Sequence, residues 1–171
     1  MVFTIPQQLR AVLDADHKLL MDAVSQTMKR MVKAKRKATP GIVCVLHPYG
    51  RDLQLNPHVH ALATEGGLTK HGKWVPVTFL EYGKLRRTWQ YQLLTSLKSH
   101  MPKTKETHRL IDQLFKKHMK GFYIYAKRRV TKAKKTARYI RHPAIAESRI
   151  TQFNPKTNTV TYWYQRNGTW R

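Results

Sequence analysis

Acidic side chains are scarce in this chain: nine Asp and Glu stand against thirty-three Lys and Arg in 171 residues, leaving a formal charge of +24. Nine scattered carboxylates offer no cluster of the kind that grips a pair of catalytic ions, which argues against a nuclease that activates water between two metals. There is one cysteine, Cys44, so no disulfide forms within the chain and no cysteine-rich zinc pattern exists; a reducing cytoplasm is the expected setting. No HExxH motif is present. No apolar run approaches the roughly 20 residues that cross a bilayer, and the opening MVFTIPQQLR lacks the basic-then-apolar layout of a secretory signal, so no membrane partner is expected.

What is present is a strong positive charge carried on a globular composition. Apolar residues make up 41% and aromatics 10%, enough for one folded domain with a core, and the expectation is a single domain over residues 1–171. A chain this basic repels itself, so its natural partner is a polyanion. The excess is concentrated: between Lys98 and Arg141 fifteen basic residues face only Glu106 and Asp112. Phe115, Phe122, Tyr123, Tyr125 and Tyr139 lie in the same stretch, and positive charge mixed with stacking rings suits single-stranded nucleic acid. The same composition also fits a solvated basic face or an RNA-binding module.

Periodicity supplies a coarse map. Leu19, Leu20, Ala23, Val24, Met28, Met31 and Val32 recur at helical spacing, with Pro6 suited to a first helical turn and Pro40-Gly41 ending the segment. Residues 42–47 (IVCVLH) and PHVHALAT read as strands joined through PYGRDLQLN, with Gly66-Gly67 as a turn and KWVPV as a further short strand. Leu85, Trp89, Leu93 and Leu97 mark a helix over about 78–99, and a second is expected over about 105–119. FYIYAK reads as a strand, KAKKTARYIR as a basic helix capped by Thr131 and stopped by Pro143, and RITQF-NPKTN-TVTYWYQ as a hairpin. The mixture lacks a βαβ rhythm, which predicts an α+β fold with a largely antiparallel central sheet and flanking helices.

His58-Val59-His60 is the segment that carries chemistry. Residues two apart in a strand point to one face, so both imidazoles can reach one ion while Val59 points into the core. Imidazole is a common ligand for divalent transition metals. His47 ends the preceding strand; an antiparallel partner would bring it beside the pair as a third ligand, and it reads equally well as a strand-end residue before the Pro48-Tyr49-Gly50 turn.

The segment LHPYGRDLQLNPHVHALATEGGL resembles the HUH motif region of rolling-circle transposases from prokaryotic insertion sequences, whose relatives include replication initiators and plasmid relaxases. ARYIRHPAIAESRI resembles that family's catalytic-tyrosine region, and FTIPQQLR and FYIYAK also fit, so the likeness spans most of the chain. The resemblance implies an HUH endonuclease-like fold, a divalent metal (Mg or Mn) on His58 and His60, and Tyr139 as nucleophile on single-stranded DNA. It further implies phosphate contacts from Arg138 and Arg141 and from the neighbouring Lys127, Arg128, Arg129, Lys132, Lys134 and Lys135. Transposition, DNA recombination and a cytoplasmic, nucleoid-associated location follow from the same likeness.

Three departures from the family pattern stand out. Many members carry two tyrosines one helical turn apart; here Lys135 occupies the second position, leaving a single motif tyrosine. A third ligand one turn after the nucleophile would fall on Pro143, which cannot ligate; His142 faces elsewhere on an ideal helix and Glu147 lies beyond the proline, so His47 is the expected third ligand. The chain is also expected to be short of the family's usual length at both ends. A non-catalytic nucleic-acid-binding module needs none of His58, His60 or Tyr139, and is the competing expectation. Nothing in the sequence sets an oligomeric state.

Overall fold

In a computed structural model, residues 1–50, 52–126, 149–166 and 169–170 are described; the expected basic helix, with Tyr139, lies outside them. The chain starts with β1 (Val2–Phe3), a 3-10 turn (Gln7–Leu9), α1 (Arg10–Asp14) and α2 (His17–Arg36). Then come β2 (Ala38–Thr39), β3 (Ile42–Tyr49), β4 (Leu55–Ala63), β5 (Gly66–Thr69) and β6 (Trp74–Pro76). α3 (Tyr82–His100), α4 (Lys105–Lys117) and β7 (Ile124–Tyr125) follow. Two hairpins end the described chain, β8 (Ile150–Asn154) with β9 (Thr159–Tyr162) and β10 (Gln165–Arg166) with β11 (Thr169–Trp170).

Among the described residues the central sheet has four strands in the order β3-β4-β1-β7, every neighbouring pair antiparallel. This is the expected α+β arrangement. Along β4 burial alternates, with Val59 and Ala61 inside and His58, His60 and Leu62 only partly covered. The inward set packs on α2 and α3 through Leu20, Val24, Met28, Leu85, Trp89 and Leu93. The helices therefore occupy one side of the sheet, and the histidines stand on the other.

Local chemistry accounts for most of the element ends. Asp16 caps α2 by accepting the Leu19 N–H at 2.9 Å, and Lys37 closes it in a left-handed conformation at φ 50°. Thr104 caps α4 through the Thr107 N–H at 3.2 Å. The β3–β4 ladder shifts register between His47 and Tyr49, where Pro48 on one strand and Pro57 on the other have no N–H to donate. The irregularity falls just past the His47–His58 pair and leaves that pair in register.

Four boundaries differ from the periodicity. Gly66 and Gly67 lie inside β5 instead of a turn, because a Cβ on Gly67 would meet the Thr39 carbonyl carbon at 2.6 Å and only glycine lets β2 approach. The helix expected from about 78 begins at Tyr82; Val77 instead fills a small cluster with Val32 and Ala38. Pro6 sits in extended backbone ahead of a 3-10 turn, and the N-terminal helical segment is split by Asp16. Among the described residues of FYIYAK, β-structure covers Ile124–Tyr125.

β1 has no counterpart in the sequence reading, because two residues carry no periodicity. It is fixed by tertiary contacts: Phe3 is fully buried edge-on to Trp89 at 5.3 Å, and the Trp89 indole N–H donates to the Thr4 carbonyl at 2.9 Å. Gly121, just before β7, adopts φ 79°, and a Cβ there would lie 2.3 Å from the Arg86 carbonyl carbon in α3. Gly121→Ala therefore combines backbone strain with a backbone clash, and is expected to cost at least about 2 kcal/mol. A thermal unfolding midpoint equal to wild type would show that this contact has slack.

Candidate metal centre

His47 and His58 are direct partners across β3 and β4, and His60 lies two residues further along the same face. The three rings form one group. Those of His47 and His60 stack at 4.1 Å with planes 9° apart, and His58 stands 5.4 Å from His47 and 5.2 Å from His60. One ring nitrogen from each lies within 4.8 Å of the others. Nitrogens sharing an ion at bonds of about 2.1 Å can be no more than about 4.2 Å apart. Ring nitrogens within 4.8 Å of one another are therefore close to the spacing that a shared ion needs.

The donor set suits a divalent transition metal, being three imidazoles without a carboxylate. His58 is already oriented: its Nδ1 lies 2.7 Å from the Asn56 carbonyl, which can only accept, so Nδ1 carries the proton and Nε2 is left as the ligand. Asn56 was not identified from the sequence. A backbone carbonyl has no residue-type signature, and only the strand geometry exposes it.

Electrostatics favour the neutral form of His58 and His60. Burial pushes His60 down to about 4, with repulsion from His47, His58 and the N-terminal amine adding to it. Burial lowers His58 as well, partly opposed by its bond to Asn56 and reinforced by His47. Neutral imidazole is the form that ligates, so the fold holds these rings ready for a cation.

The same shifts give a pH prediction for the metal-free protein. Histidine in the unfolded chain titrates near ~6.5, above the folded value, so on acidification the unfolded chain takes up the proton first. The contribution to stability is complete above about pH 6.5, falls progressively toward about pH 4, and changes no further below that. The unfolding midpoint should drop across this window, and His60→Ala should shed part of the slope. Parallel profiles for the two proteins would contradict the placement of His60.

The remaining expected site residues are not brought into view. Tyr139, Arg138, Arg141, Lys127, Arg128, Arg129, Lys132, Lys134 and Lys135 all lie outside the described residues. The connection beside the triad is short and hydrogen-bonded. Gly50 donates to the Gln54 carbonyl at 2.9 Å, Leu53 takes a left-handed φ of 55°, and the Tyr162 hydroxyl donates to the Asp52 carbonyl at 3.1 Å. The C-terminal hairpin is thereby tied to the loop that joins the two histidine-bearing strands.

Residues 41–171, which include all three histidines, match the Y2_Tnp family, described as "Putative transposase". The transposase for insertion sequence element IS801 of Pseudomonas savastanoi pv. phaseolicola is 31% identical over 187 residues, covering 95% of this chain and 43% of that protein. "Putative transposase y4qJ" of Sinorhizobium fredii (strain NBRC 101917 / NGR234) is 29% identical over 106 residues, covering 56% of this chain and 27% of the other. The chain thus spans less than half the length of these curated relatives. Among solved structures, the conjugative relaxase TrwC in complex with oriT DNA aligns at a TM-score of 0.36 and 14% identity, covering 69% of this chain and 54% of the other. That likeness is distant, and the fold description rests on the strand order and register given above. With a family match over residues 41–171 and a curated relative aligned along nearly the whole chain, the protein belongs to the Y2_Tnp transposase family.

Proposed function

We propose that the chain is the nicking and rejoining domain of a transposase, cutting single-stranded DNA through a 5′-phosphotyrosine on Tyr139. The observation that carries this reading is the histidine triad, assembled on the face of the sheet opposite the helices in a chain of the transposase family.

His47, His58 and His60 would hold a divalent metal; of the expected Mg and Mn, the all-imidazole donor set favours Mn. Bound there, the ion would act as a Lewis acid on the scissile phosphate and spread the charge that develops on its oxygens. The chain's own groups do the rest. The Tyr139 phenol gives up its proton and its oxygen attacks phosphorus in line. The bond from phosphorus to the 3′-oxygen breaks, and that oxygen leaves with the electron pair and takes a proton to become a 3′-hydroxyl. One phosphoester bond replaces another, so the linkage needed for rejoining is conserved; water as nucleophile would discard it. A free phenol ionises near ~10, and the cations expected around Tyr139, Arg138 and Arg141 foremost, would favour the phenolate.

The test is direct. Full-length protein is incubated with end-labelled single-stranded DNA and Mn²⁺ or Mg²⁺, then denatured. The expected product is protein joined to the 5′-phosphate of the fragment downstream of the nick, abolished by chelation, beside an upstream fragment that ends in a free 3′-hydroxyl. Cutting without an adduct would point to water as the nucleophile, and binding without cutting to a non-catalytic module; either result removes the phosphotyrosine reading.

A further inference from the structure

The face of the sheet that carries the triad continues beyond it. One cross-strand row runs Val45, His60, Val2, Tyr125 over β3, β4, β1 and β7. Directly opposed residues of antiparallel strands share a face. The next row holds Val59, Phe3 and Ile124, all fully buried on the helix side. Tyr125 therefore stands on the His60 side, two strands away, about 10 Å at the usual spacing of about 4.8 Å per strand. Its side chain is 46% exposed.

Tyr123 lies beside it and is 54% exposed. Its carbonyl accepts both the backbone N–H and the hydroxyl of Thr4, which anchors the segment to β1. The Arg86 guanidinium sits 5.6 Å over the Tyr123 ring and also donates to the Gly121 and Phe122 carbonyls, so the cation is held in place. Two exposed tyrosines, one on β7 and one just before it, are an aggregation liability unless something covers them. Rings beside a fixed cation, on a protein of charge +24, suit the bases and backbone of a single strand.

We propose that Tyr125 and Tyr123, with Arg86, form a base-stacking step for single-stranded DNA as it runs from the histidine triad to the edge of the sheet. This rests on the nicking reading for the identity of the strand. At about 3.4 Å per stacked nucleotide, the base over Tyr125 lies about three nucleotides from the phosphate at the triad. The same separation makes Tyr125 a positioning residue, since a nucleophile must come within about 3–3.5 Å of phosphorus.

The experiment compares binding of oligothymidylate with binding of an abasic strand of equal length, by fluorescence anisotropy without metal. Tyr125→Ala is expected to weaken oligothymidylate binding by about five-fold to a hundred-fold and to leave the abasic strand unchanged. Tyr123→Ala should behave alike, and Tyr125→Phe should keep both wild-type affinity and adduct formation. Tyr125→Leu, which keeps an apolar strand residue, should repeat the alanine result and so exclude unfolding as its cause. Equal losses on both strands, or no loss, would overturn the stacking role, as would a Tyr125→Phe protein that binds but forms no adduct. Because the readout needs no cleavage, base-selective loss in a protein that never forms an adduct would sustain the stacking step while removing the nicking reading. An adduct that survives beside unaltered binding would do the reverse.

Discussion

Tyr139→Phe is expected to bring the covalent protein–DNA adduct down to background, a fall on the order of 10³-fold or more, with affinity for the same strand kept within about two-fold. The split follows from what the substitution removes. Phenylalanine retains the ring and whatever it packs against, so contacts that position the strand persist. It lacks the oxygen that would become the ester to phosphorus. Arginines 138 and 141 also remain, so electrostatic attraction to phosphate is unaltered. A residual adduct in the Tyr139→Phe protein would falsify the assignment, and peptide mapping would then show which other tyrosine carries the DNA. Lys135→Tyr in the Tyr139→Phe background places a tyrosine four residues earlier. Recovery of the adduct would mean that this position reaches the same phosphate, and that the present chain has given up a second nucleophile.

How much of this was legible in the sequence differs from element to element. α3 was readable because Leu85, Trp89, Leu93 and Leu97 repeat at the helical period and are all buried; in α4 Leu110, Ile111, Leu114 and Phe115 give the same period, with Ile111 and Leu114 buried, Leu110 half-buried and Phe115 exposed. The histidine face was readable because Val59 between the histidines is fully buried, as the period of two demands. Pairing of His47 with His58 was open until the register fixed it, since a ladder slipped by one residue would have turned His47 to the helices. β1 was hidden: its place between β4 and β7 depends on Phe3 meeting Trp89, a contact between residues 3 and 89 that no local pattern encodes. Gly66-Gly67 misled because a glycine pair signals a turn on average, whereas here it makes room for the β2 backbone. The row joining His60 to Tyr125 had to wait for β1 as well, because Val2 is its middle member.

Removing single ligands from the triad should separate metal binding from DNA binding. His58→Ala or His60→Ala is expected to lower adduct formation by about 10²-fold or more, and to abolish the rise in unfolding temperature that Mn²⁺ gives the wild type. The thermal readout matters because a ligand that binds only the folded state stabilises it by RT ln(1 + [L]/Kd), so a lost shift reports a lost site independently of activity. The two variants should differ in the absence of metal. His60→Ala deletes an imidazole that burial and its neighbours keep from protonating, and so should resist acid better than wild type. His58→Ala also gives up the bond to the Asn56 carbonyl, leaving that acceptor without its side-chain donor. His47→Ala decides the third position. Its ring stacks on His60 at 4.1 Å and opposes His58 in register, so its loss should weaken Mn²⁺ to a similar degree. A His47→Ala protein that keeps the full Mn²⁺ shift would move the third ligand elsewhere and leave His47 the role of packing against His60.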